Sequence, residues 1–200
     1  MPLCRWAFFA RSPQHIIQNP AMKLIETLIK KDPVRQQALK CLQALNLPQG
    51  YLAAGFVRNL VWDHLHQKTT PTPLNDVDVI YFDPDEADAN NCFAYEKVLT
   101  ESMPSLNWQV RNQAKMHHRN GDAPYTDVVD AMSYWPEKET AVAVRLAPDN
   151  ALECVSAFGF DSLLALNITP NPKRDIALFH HRIESKQWLT LWPKLQLQDM

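Results

Sequence analysis

The sequence predicts an α+β fold in which helices flank a mixed β-sheet and the C-terminal end is helical. Three segments of the 200 residues carry this prediction. Residues 50–65 are typical of a strand that leads through a glycine into a helix, and residues 75–82 form an apolar run rich in β-branched and aromatic side chains. Residues 141–157 contain two strand-like runs around a Pro-Asp-Asn turn, which predicts a β-hairpin.

The elements of the first half follow from capping residues and apolar spacing. Asp32 and Pro33 are a favourable N-cap and first residue for a helix that ends near Leu45. A strand over 50–54 then leads into a turn at Gly55 and a helix whose apolar residues recur at helical spacing. Two prolines after that helix predict a loop before the next strand.

The elements of the second half are predicted in the same way. The acids at the start of 83–103 favour a helix over this segment, because carboxylates stabilise the first turn. Residues 113–126 are predicted to be a polar loop. The remaining predicted elements are strands at 106–112, 141–146 and 152–157, and helices at 127–132, 160–166 and 174–191.

Two carboxylates at the start of the strand over 75–82 are the strongest functional signal. Asp76 and Asp78 point to one face of a strand, whereas Val77 and Val79 point to the other face, into a core. Adjacent anions repel one another unless both face water or a cation lies between them. Mg²⁺ (or Mn²⁺) binds one or two carboxylates together with substrate phosphates, so we predict that the pair is catalytic and metal-binding. A solvated Asp-x-Asp pair without a metal is the alternative.

The strand–glycine–helix segment upstream is predicted to bind phosphate. A glycine lets the backbone approach a ligand closely, and the helix start aims free N–H groups and the positive end of its dipole at an anion. Arg58 adds a permanent charge that can grip a phosphate bidentately. An ordinary turn glycine followed by a solvated arginine is the alternative. The predicted cofactor-binding residues of this turn are Gly55, Phe56, Arg58 and Asn59.

Together, these two segments resemble the nucleotidyltransferase signature of the DNA polymerase beta superfamily. Within it, residues 22–195 are similar to a bacterial group of uncharacterised nucleotidyltransferase-like proteins. The similarity is carried by residues 54–59, 61–63, 76–83, 112–117, 140–146, 171–172, 186–188 and 192–193. The resemblance implies a polymerase-beta-like nucleotidyltransferase fold. It also implies metal-dependent transfer of a nucleoside monophosphate from a nucleoside triphosphate to an acceptor hydroxyl, with release of pyrophosphate.

Two departures from the superfamily pattern favour an alternative function. Phe56 stands where the superfamily usually has Gly or Ser, and the strand predicted to supply a third carboxylate, 106–112, contains no acid. Asn112 at its end offers an amide oxygen for a metal or a nucleotide but cannot act as a base. Asp127 and Asp130 are nearby acids for that role. The alternative is a catalytically inactive scaffold that binds a nucleotide or a partner protein; no residue selects a third function, toxin-like modification of a protein or transfer RNA.

Length and composition indicate one enzyme-sized domain. We expect residues 22–200 to form it and residues 1–21 to be an N-terminal extension that is loose or packs on its surface. A net charge of −2 without a basic run does not indicate nucleic acid as a partner, and no apolar stretch is long enough to span a membrane. Scattered cysteines without metal-ligand spacing are typical of a cytoplasmic protein. The predicted partner is a nucleoside triphosphate; the acceptor is not identified, and we expect it near Asn112, Gln113 and His117.

Overall fold

The structure is a computed structural model that describes residues 20–88 and 90–199. Helices in these ranges are α1 (Pro20–Lys30), α2 (Pro33–Leu45), α3 (Gly55–Leu65), α4 (Asn91–Ser102), α5 (Gln113–Asn120), α6 (Val128–Met132), α7 (Asp161–Leu164), α8 (Ile176–Ser185) and α9 (Trp188–Leu191). Strands are β1 (Tyr51–Ala53), β2 (Val77–Tyr81), β3 (Trp108–Asn112), β4 (Val142–Leu146), β5 (Leu152–Ser156), β6 (Asn167–Ile168) and β7 (Gln196–Leu197). The predicted α+β fold is confirmed.

A five-stranded mixed sheet in the order β3-β2-β1-β4-β5 forms the centre of the fold. β2 and β3 are parallel, whereas the other neighbours in this sheet are antiparallel. Ala53 at the end of β1 pairs with Asp78 in β2, and Asp78 pairs with Gln109 in β3. This register places the start of α3, directly after β1, beside the strand that carries the carboxylates.

Side-chain alternation along the strands gives the sheet two buried faces. Val77 and Val79 point into the larger core, which contains side chains from α1 to α4 and from α7 to α9. Ala53 and Ile80 point into a smaller core, which α5 and α6 cover. Each large apolar side chain buried in these cores stabilises the fold by roughly 1.5–3 kcal/mol. The sheet is therefore packed against helices on both faces.

Local capping explains why two helices begin where the sequence predicts. The Asp32 carboxylate accepts a hydrogen bond from the Arg35 N–H at 3.0 Å and caps α2. The Asp127 carboxylate accepts one from the Asp130 N–H at 2.8 Å and caps α6. Each cap satisfies an N–H group that has no intrahelical acceptor.

Other helix predictions were wrong in their boundaries. The helix predicted over 83–103 begins only at Asn91, and the polar loop predicted over 113–126 contains α5. The final helix is divided into α8 and α9 at Gln187, which has a φ of 50°. Of the predicted extension 1–21, only Pro20 and Ala21 lie among the described residues, and both belong to α1. Within the described ranges, no helix is long and apolar enough to cross a membrane.

Candidate active site

A cleft of about 530 Å³ opens where the start of α3 and the strands β2 and β3 meet the C-terminal helices. Its lining includes both carboxylates and the arginine that the sequence singled out, together with two cations from the C-terminal part of the chain. The charged and amide side chains used in the following argument are Arg58, Asn59, Asp76, Asp78, Arg182 and Lys186. The structure thus brings the two predicted segments to one shared cleft.

The two carboxylates differ in their surroundings. Asp76 accepts a hydrogen bond from the Asn107 side-chain amide at 2.7 Å. Asp78 is half-buried, and its carboxylate has no hydrogen bond or ion pair with any described residue. Burial raises the pKa of Asp78, the positive charge of Arg58 opposes that shift, and the negative charge of Asp76 adds to it. Asp78 therefore lacks the close counter-charge that a half-buried carboxylate requires.

This donor set fits a hard divalent cation that is shared with a substrate. Within the described part of the chain, no group of three or more His, Cys, Asp or Glu residues could hold a metal ion. The β3 residue opposite Asp78 is Gln109, so the third acid is absent from that position. Mg²⁺ commonly uses one or two carboxylates and completes its octahedron with water and substrate phosphates. The cleft therefore fits a substrate-shared ion rather than a structural metal held by protein ligands alone.

The turn between β1 and α3 is built around Ala54, whereas the sequence predicted Gly55 as the turn residue. Ala54 has a φ of 54° and a ψ of −119°, in the left-handed half of the map that L residues rarely adopt. Its carbonyl accepts the N–H groups of Val57 and Arg58 at 3.1 and 2.9 Å. The N–H groups of Gly55 and Phe56 precede these and have no intrahelical acceptor. They leave the helix start available to an anion.

Gly55 opens α3 and lines the cleft. A Cβ atom at this position would lie 3.4 Å from Asn59 Nδ2 and 3.6 Å from Arg58 Nη2. These are ordinary van der Waals distances, so a methyl group at this position would fit without moving the neighbouring side chains. It would instead occupy cleft space over the first helical turn, next to the guanidinium group.

Arg58 is a buried cation, with 6% of its surface exposed. Its Cζ lies 5.2 Å from the ring centroid of Trp62 and 4.4 Å from that of Trp188. Nη1 donates to Thr140 Oγ1 at 2.7 Å, and Nη2 donates to Asn59 Oδ1 at 3.1 Å. Desolvation lowers the pKa of Arg58 to about 10, so the group stays charged at neutral pH. No described carboxylate forms an ion pair with it, so direct contact with an incoming anion remains open. The carboxylates of Glu137, Asp78 and Glu139 act on its charge only from a longer distance.

Two further cations reach the cleft from the C-terminal part of the chain. Arg182 lies on α8, and its Nε donates to Glu137 Oε1 at 2.5 Å. Lys186 follows α8, where its backbone N–H donates to the Arg182 carbonyl at 3.0 Å, and its ammonium group forms no hydrogen bond or ion pair with any described residue. Sequence reasoning missed both because they lie more than a hundred residues from Arg58. The signal that could have found them is their spacing of four on the predicted last helix, which places both on one face.

Similarity to known proteins agrees with this geometry. Residues 40–197 match a family model described as nucleotidyltransferase. The chain belongs to the nucleotidyltransferase family. A structure described as the NMR structure of a protein that reveals a CCA-adding enzyme head domain is 32% identical to this family member, with a TM-score of 0.78. The alignment covers 89% of this chain and 96% of that one.

Two longer enzymes share the fold of this nucleotidyltransferase. A CCA-adding enzyme in complex with CTP is 12% identical with a TM-score of 0.56, and the match covers 88% of this chain and 43% of that enzyme. The Thermotoga maritima CCA-adding enzyme complexed with tRNA is 13% identical with a TM-score of 0.59, over 88% and 42% of the two chains. This chain thus spans less than half of each of these enzymes. No curated protein matches it.

The structure places Asn112, which the sequence suggested as a ligand, outside the lining of the cleft of this nucleotidyltransferase. Its amide oxygen caps α5 by accepting the Ala114 N–H at 3.0 Å and also accepts the Asp83 N–H at 3.1 Å. Its amide nitrogen donates to the Asp83 carbonyl at 2.8 Å and to Glu86 Oε2 at 2.7 Å. These four bonds use the whole amide to join α5 to the loop after β2.

The side chain of Phe56 also lies away from the cleft. It is fully buried in the larger core, where the Arg35 guanidinium lies 5.4 Å from its ring centroid. Arg35 Nε donates to the Phe56 carbonyl at 2.9 Å. Only the backbone N–H of Phe56, at the start of α3, is therefore placed to meet a ligand.

The residues expected near an acceptor are only partly at the cleft of this family member. Gln113 lines it, whereas His117 is buried on α5 outside the lining. Asp127 and Asp130 are not in the lining either, because the first caps α6 and the second binds the Thr126 N–H at 3.0 Å. Neither acid supplies the missing third carboxylate.

Proposed function

We propose that the chain is an enzyme that transfers a nucleoside monophosphate from a nucleoside triphosphate to an acceptor hydroxyl, with Mg²⁺ or Mn²⁺, and releases pyrophosphate. The observation that carries this proposal is the shared cleft of Asp76, Asp78 and Arg58 at the start of α3. Membership of the nucleotidyltransferase family supports it. The cleft volume of about 530 Å³ lies within the range of small-molecule sites.

In this proposal the phosphates of the nucleotide lie against the start of α3. The N–H groups of Gly55 and Phe56 provide hydrogen-bond donors, and Arg58, Arg182 and Lys186 provide positive charge. Arg58 is already desolvated, so it loses little hydration when a phosphate arrives. Hydrogen bonds between a guanidinium group and phosphate are among the stronger ones in proteins. The cations would therefore select for the highly charged triphosphate.

Asp76 and Asp78 would hold the divalent ion, which when bound neutralises charge on the α-phosphate and lowers the pKa of the acceptor hydroxyl. The chain's own contribution is to present two carboxylates to one cleft, Asp78 from β2 and Asp76 from the residue directly before that strand. Asn107 fixes Asp76 by a hydrogen bond of 2.7 Å, and Arg58 favours the ionised form of Asp78. The bound ion would in turn supply the counter-charge that the half-buried Asp78 carboxylate lacks.

The missing third carboxylate favours a second candidate function, a nucleotide-binding module without turnover. Gln109 lies opposite Asp78, and Asp76 and Asp78 are the acids among the described residues that line the cleft. A glutamine cannot accept a proton from an acceptor hydroxyl. The tRNA bound to one relative belongs to an enzyme more than twice as long as the aligned part, so we propose the acceptor here only as a hydroxyl.

A screen of the four nucleoside triphosphates with Mg²⁺ or Mn²⁺ separates these functions. We expect at least one nucleotide to raise the melting temperature only when metal is present, by linkage of binding to folding. An enzyme also releases pyrophosphate once an acceptor is supplied, whereas a binding module does not. Stabilisation by no nucleotide would contradict both functions.

Asp78→Asn is the decisive variant for the screen. It should abolish metal-dependent turnover while the chain stays folded, since asparagine keeps the shape of the side chain but not its charge. Asp85→Asn is the matched control, because Asp85 is an exposed carboxylate outside the cleft. Full turnover by Asp78→Asn would refute the role given to Asp78.

A further inference from the structure

One short segment, residues 137–140, contacts two of the guanidinium groups that line the cleft, those of Arg58 and Arg182. Glu137 binds Arg182, with Nε–Oε1 and Nη2–Oε2 distances of 2.5 and 3.3 Å. Thr140, at the end of the same segment, accepts Arg58 Nη1 at 2.7 Å. Glu137 is only 1% exposed, so its carboxylate is buried under the cation that it holds. A buried carboxylate paired in this way fixes both the position and the orientation of its partner.

The two arginines lie close to a common indole ring. The Cζ atom of Arg58 is 4.4 Å from the Trp188 ring centroid, and the Cζ atom of Arg182 is 6.0 Å from it. Two like charges at this separation repel one another, and Arg182 has a long side chain that could turn into solvent. The bond to Glu137 opposes that movement. It uses Nε and Nη2 of Arg182, so Nη1 is not engaged by any described residue.

We propose that Glu137 is a positioning residue that holds Arg182 beside Arg58, so that the two guanidinium groups form a receptor for the triphosphate part of the nucleotide. This inference rests on the proposed function and deepens it. Glu137 does not itself touch the ligand; it acts through Arg182.

Charge alone and positioning predict opposite effects of removing Glu137. Glu137 is an anion near a site for a polyanion, so by charge alone its loss would strengthen phosphate binding. If Glu137 instead fixes Arg182, its loss lets the Arg182 side chain move away from the cleft and weakens phosphate binding. The sign of the change in affinity therefore separates the two effects, and a purely structural role would leave affinity unchanged.

Inorganic tripolyphosphate with Mg²⁺ is a suitable probe, because it carries the charges of the triphosphate without a base or a sugar. We expect calorimetry at fixed ionic strength to give about tenfold weaker binding for Glu137→Gln than for the wild-type chain. Arg182→Ala should weaken binding by a similar factor. The double variant should bind no more weakly than Arg182→Ala, because two residues that act through one contact are not additive.

Glu139→Gln is the matched control for the loss of a buried carboxylate. Glu139 is 2% exposed and accepts the Ser162 hydroxyl and the Thr169 N–H, the latter at 2.8 Å. It therefore resembles Glu137 in burial but does not bind a cleft cation. We expect this variant to lose stability and to bind tripolyphosphate within about twofold of wild type.

Each remaining outcome decides one of the two proposals. Unchanged or tighter binding by Glu137→Gln, or full additivity in the double variant, would overturn the positioning role while the proposed function stands. A wild-type chain that binds a nucleoside triphosphate but not tripolyphosphate would also overturn the positioning role and leave the proposed function in place. A wild-type chain that binds neither would remove the proposed function and this inference together. If Glu137→Gln does not fold, Glu137→Asp, which keeps the charge but withdraws it by one methylene, supplies the same measurement.

Discussion

At the scale of a single residue, Ala54 stores strain where the candidate site begins. Its positive φ costs about 1–3 kcal/mol, whereas glycine adopts this conformation freely. Ala54→Gly relieves the strain but removes one buried methyl group, worth about 0.8 kcal/mol, and makes the unfolded chain more flexible. We therefore expect this variant to be at least as stable as the wild-type chain in urea unfolding.

Ala53→Gly is the control for this measurement. Ala53 is fully buried in β1, directly before the turn, and is not among the residues with a positive φ. Its replacement loses the same methyl group and the same chain stiffness without relieving strain, so we expect a loss of about 1–2 kcal/mol. Equal destabilisation by the two variants would mean that Ala54 carries no strain.

Gly55 offers a second test at this scale, because its substitution separates binding from stability. A methyl group here meets protein atoms only at ordinary distances of 3.4 Å or more but fills space over the helix start. We expect Gly55→Ala to keep the melting temperature, since alanine is the better helix former, and to weaken tripolyphosphate binding about tenfold. Calorimetry and thermal unfolding measure the two quantities.

Gly50→Ala should show the reverse pattern. A Cβ atom at Gly50 would lie 3.0 Å from the Leu47 Cβ and 3.2 Å from the Leu47 carbonyl oxygen, so Leu47 must move by a few tenths of an ångström and stability should fall. Gly50 does not line the cleft, and affinity should be kept. If Gly55→Ala binds as tightly as wild type, the phosphates do not lie over the start of α3.

At the scale of the element, the sequence predicted helices whose start is fixed by a neighbouring side chain. Asp32 and Asp127 cap α2 and α6 from within a few residues, so their signals are local. The start of α4 was predicted wrongly because acids taken as helix-initiating belong to a loop with tertiary contacts. Glu86, for example, accepts the Tyr81 hydroxyl at 2.9 Å. Helix propensities describe a residue and its near neighbours along the chain, so they do not predict that these acids form hydrogen bonds outside a helix.

α5 was missed for a related reason. Its residues are mostly polar, so apolar periodicity gives little signal, and its cap is the amide of Asn112, which the sequence suggested as a ligand. The amide oxygen of Asn112 could either accept a hydrogen bond as a helix cap or coordinate a metal, and both roles need the same residue type. Only the contacts with the loop after β2 decide between them.

Asn112→Ala tests the role of this side chain as the cap of α5. The substitution removes four hydrogen bonds from a side chain that is 7% exposed and leaves buried backbone groups without partners. We expect the free energy of unfolding to fall by about 2–3 kcal/mol, and nucleotide affinity of the folded fraction to be kept. Urea unfolding and calorimetry below the transition measure the two effects.

Asn90→Ala is the comparison, because Asn90 precedes α4 but makes no side-chain capping bond and is exposed. Its effect on stability should stay within about 0.5 kcal/mol. If the Asn112→Ala chain is well folded but does not bind a nucleotide, Asn112 contributes to nucleotide binding as the sequence suggested.

At the scale of the whole molecule, the candidate site combines a part that the sequence could predict with a part that it could not. Asp76, Asp78 and Arg58 lie on two neighbouring strand–helix segments, and the local pattern was enough to suggest that they meet. Arg182 and Glu137 come from segments that are distant from these in the sequence. A single sequence does not indicate which of the many distant residues pack against one another. One contact that brings these segments together is made by Asp63. Its carboxylate accepts the Trp192 indole N–H at 2.8 Å and so connects α3 to the C-terminal segment.

The segment that leads into α8 is anchored by an ion pair whose pH dependence can be tested. Arg174 donates through Nη1 to Asp122 Oδ1 at 2.9 Å and through Nη2 to Oδ2 at 2.5 Å, and the Tyr125 hydroxyl also donates to Asp122. Burial alone would raise the pKa of Asp122, but the Arg174 guanidinium and the Tyr125 hydroxyl lower it below its ordinary value. The pair joins the end of α5 to the start of the cation-bearing helix.

The direction of that pKa shift fixes the direction of the pH effect. A carboxyl group with a lowered pKa stabilises the fold fully above its ordinary pKa, and the stabilisation is lost as the pH falls through the lowered value. Asp122→Asn should therefore lower the free energy of unfolding by about 2–3 kcal/mol at pH 7, and by progressively less below about pH 4. Urea unfolding of both chains across this range measures the difference.

Glu101→Gln, which breaks an exposed pair with Lys97 at 3.9 Å, should change stability by less than about 0.5 kcal/mol at every pH. A difference between Asp122→Asn and wild type that stays constant on acidification would mean that the carboxylate charge does not anchor α8. Because α8 carries Arg182, loss of this anchor should also weaken tripolyphosphate binding at neutral pH, whereas the surface variant should leave it unchanged. The stability of the fold and the affinity of the cleft are then linked through one helix.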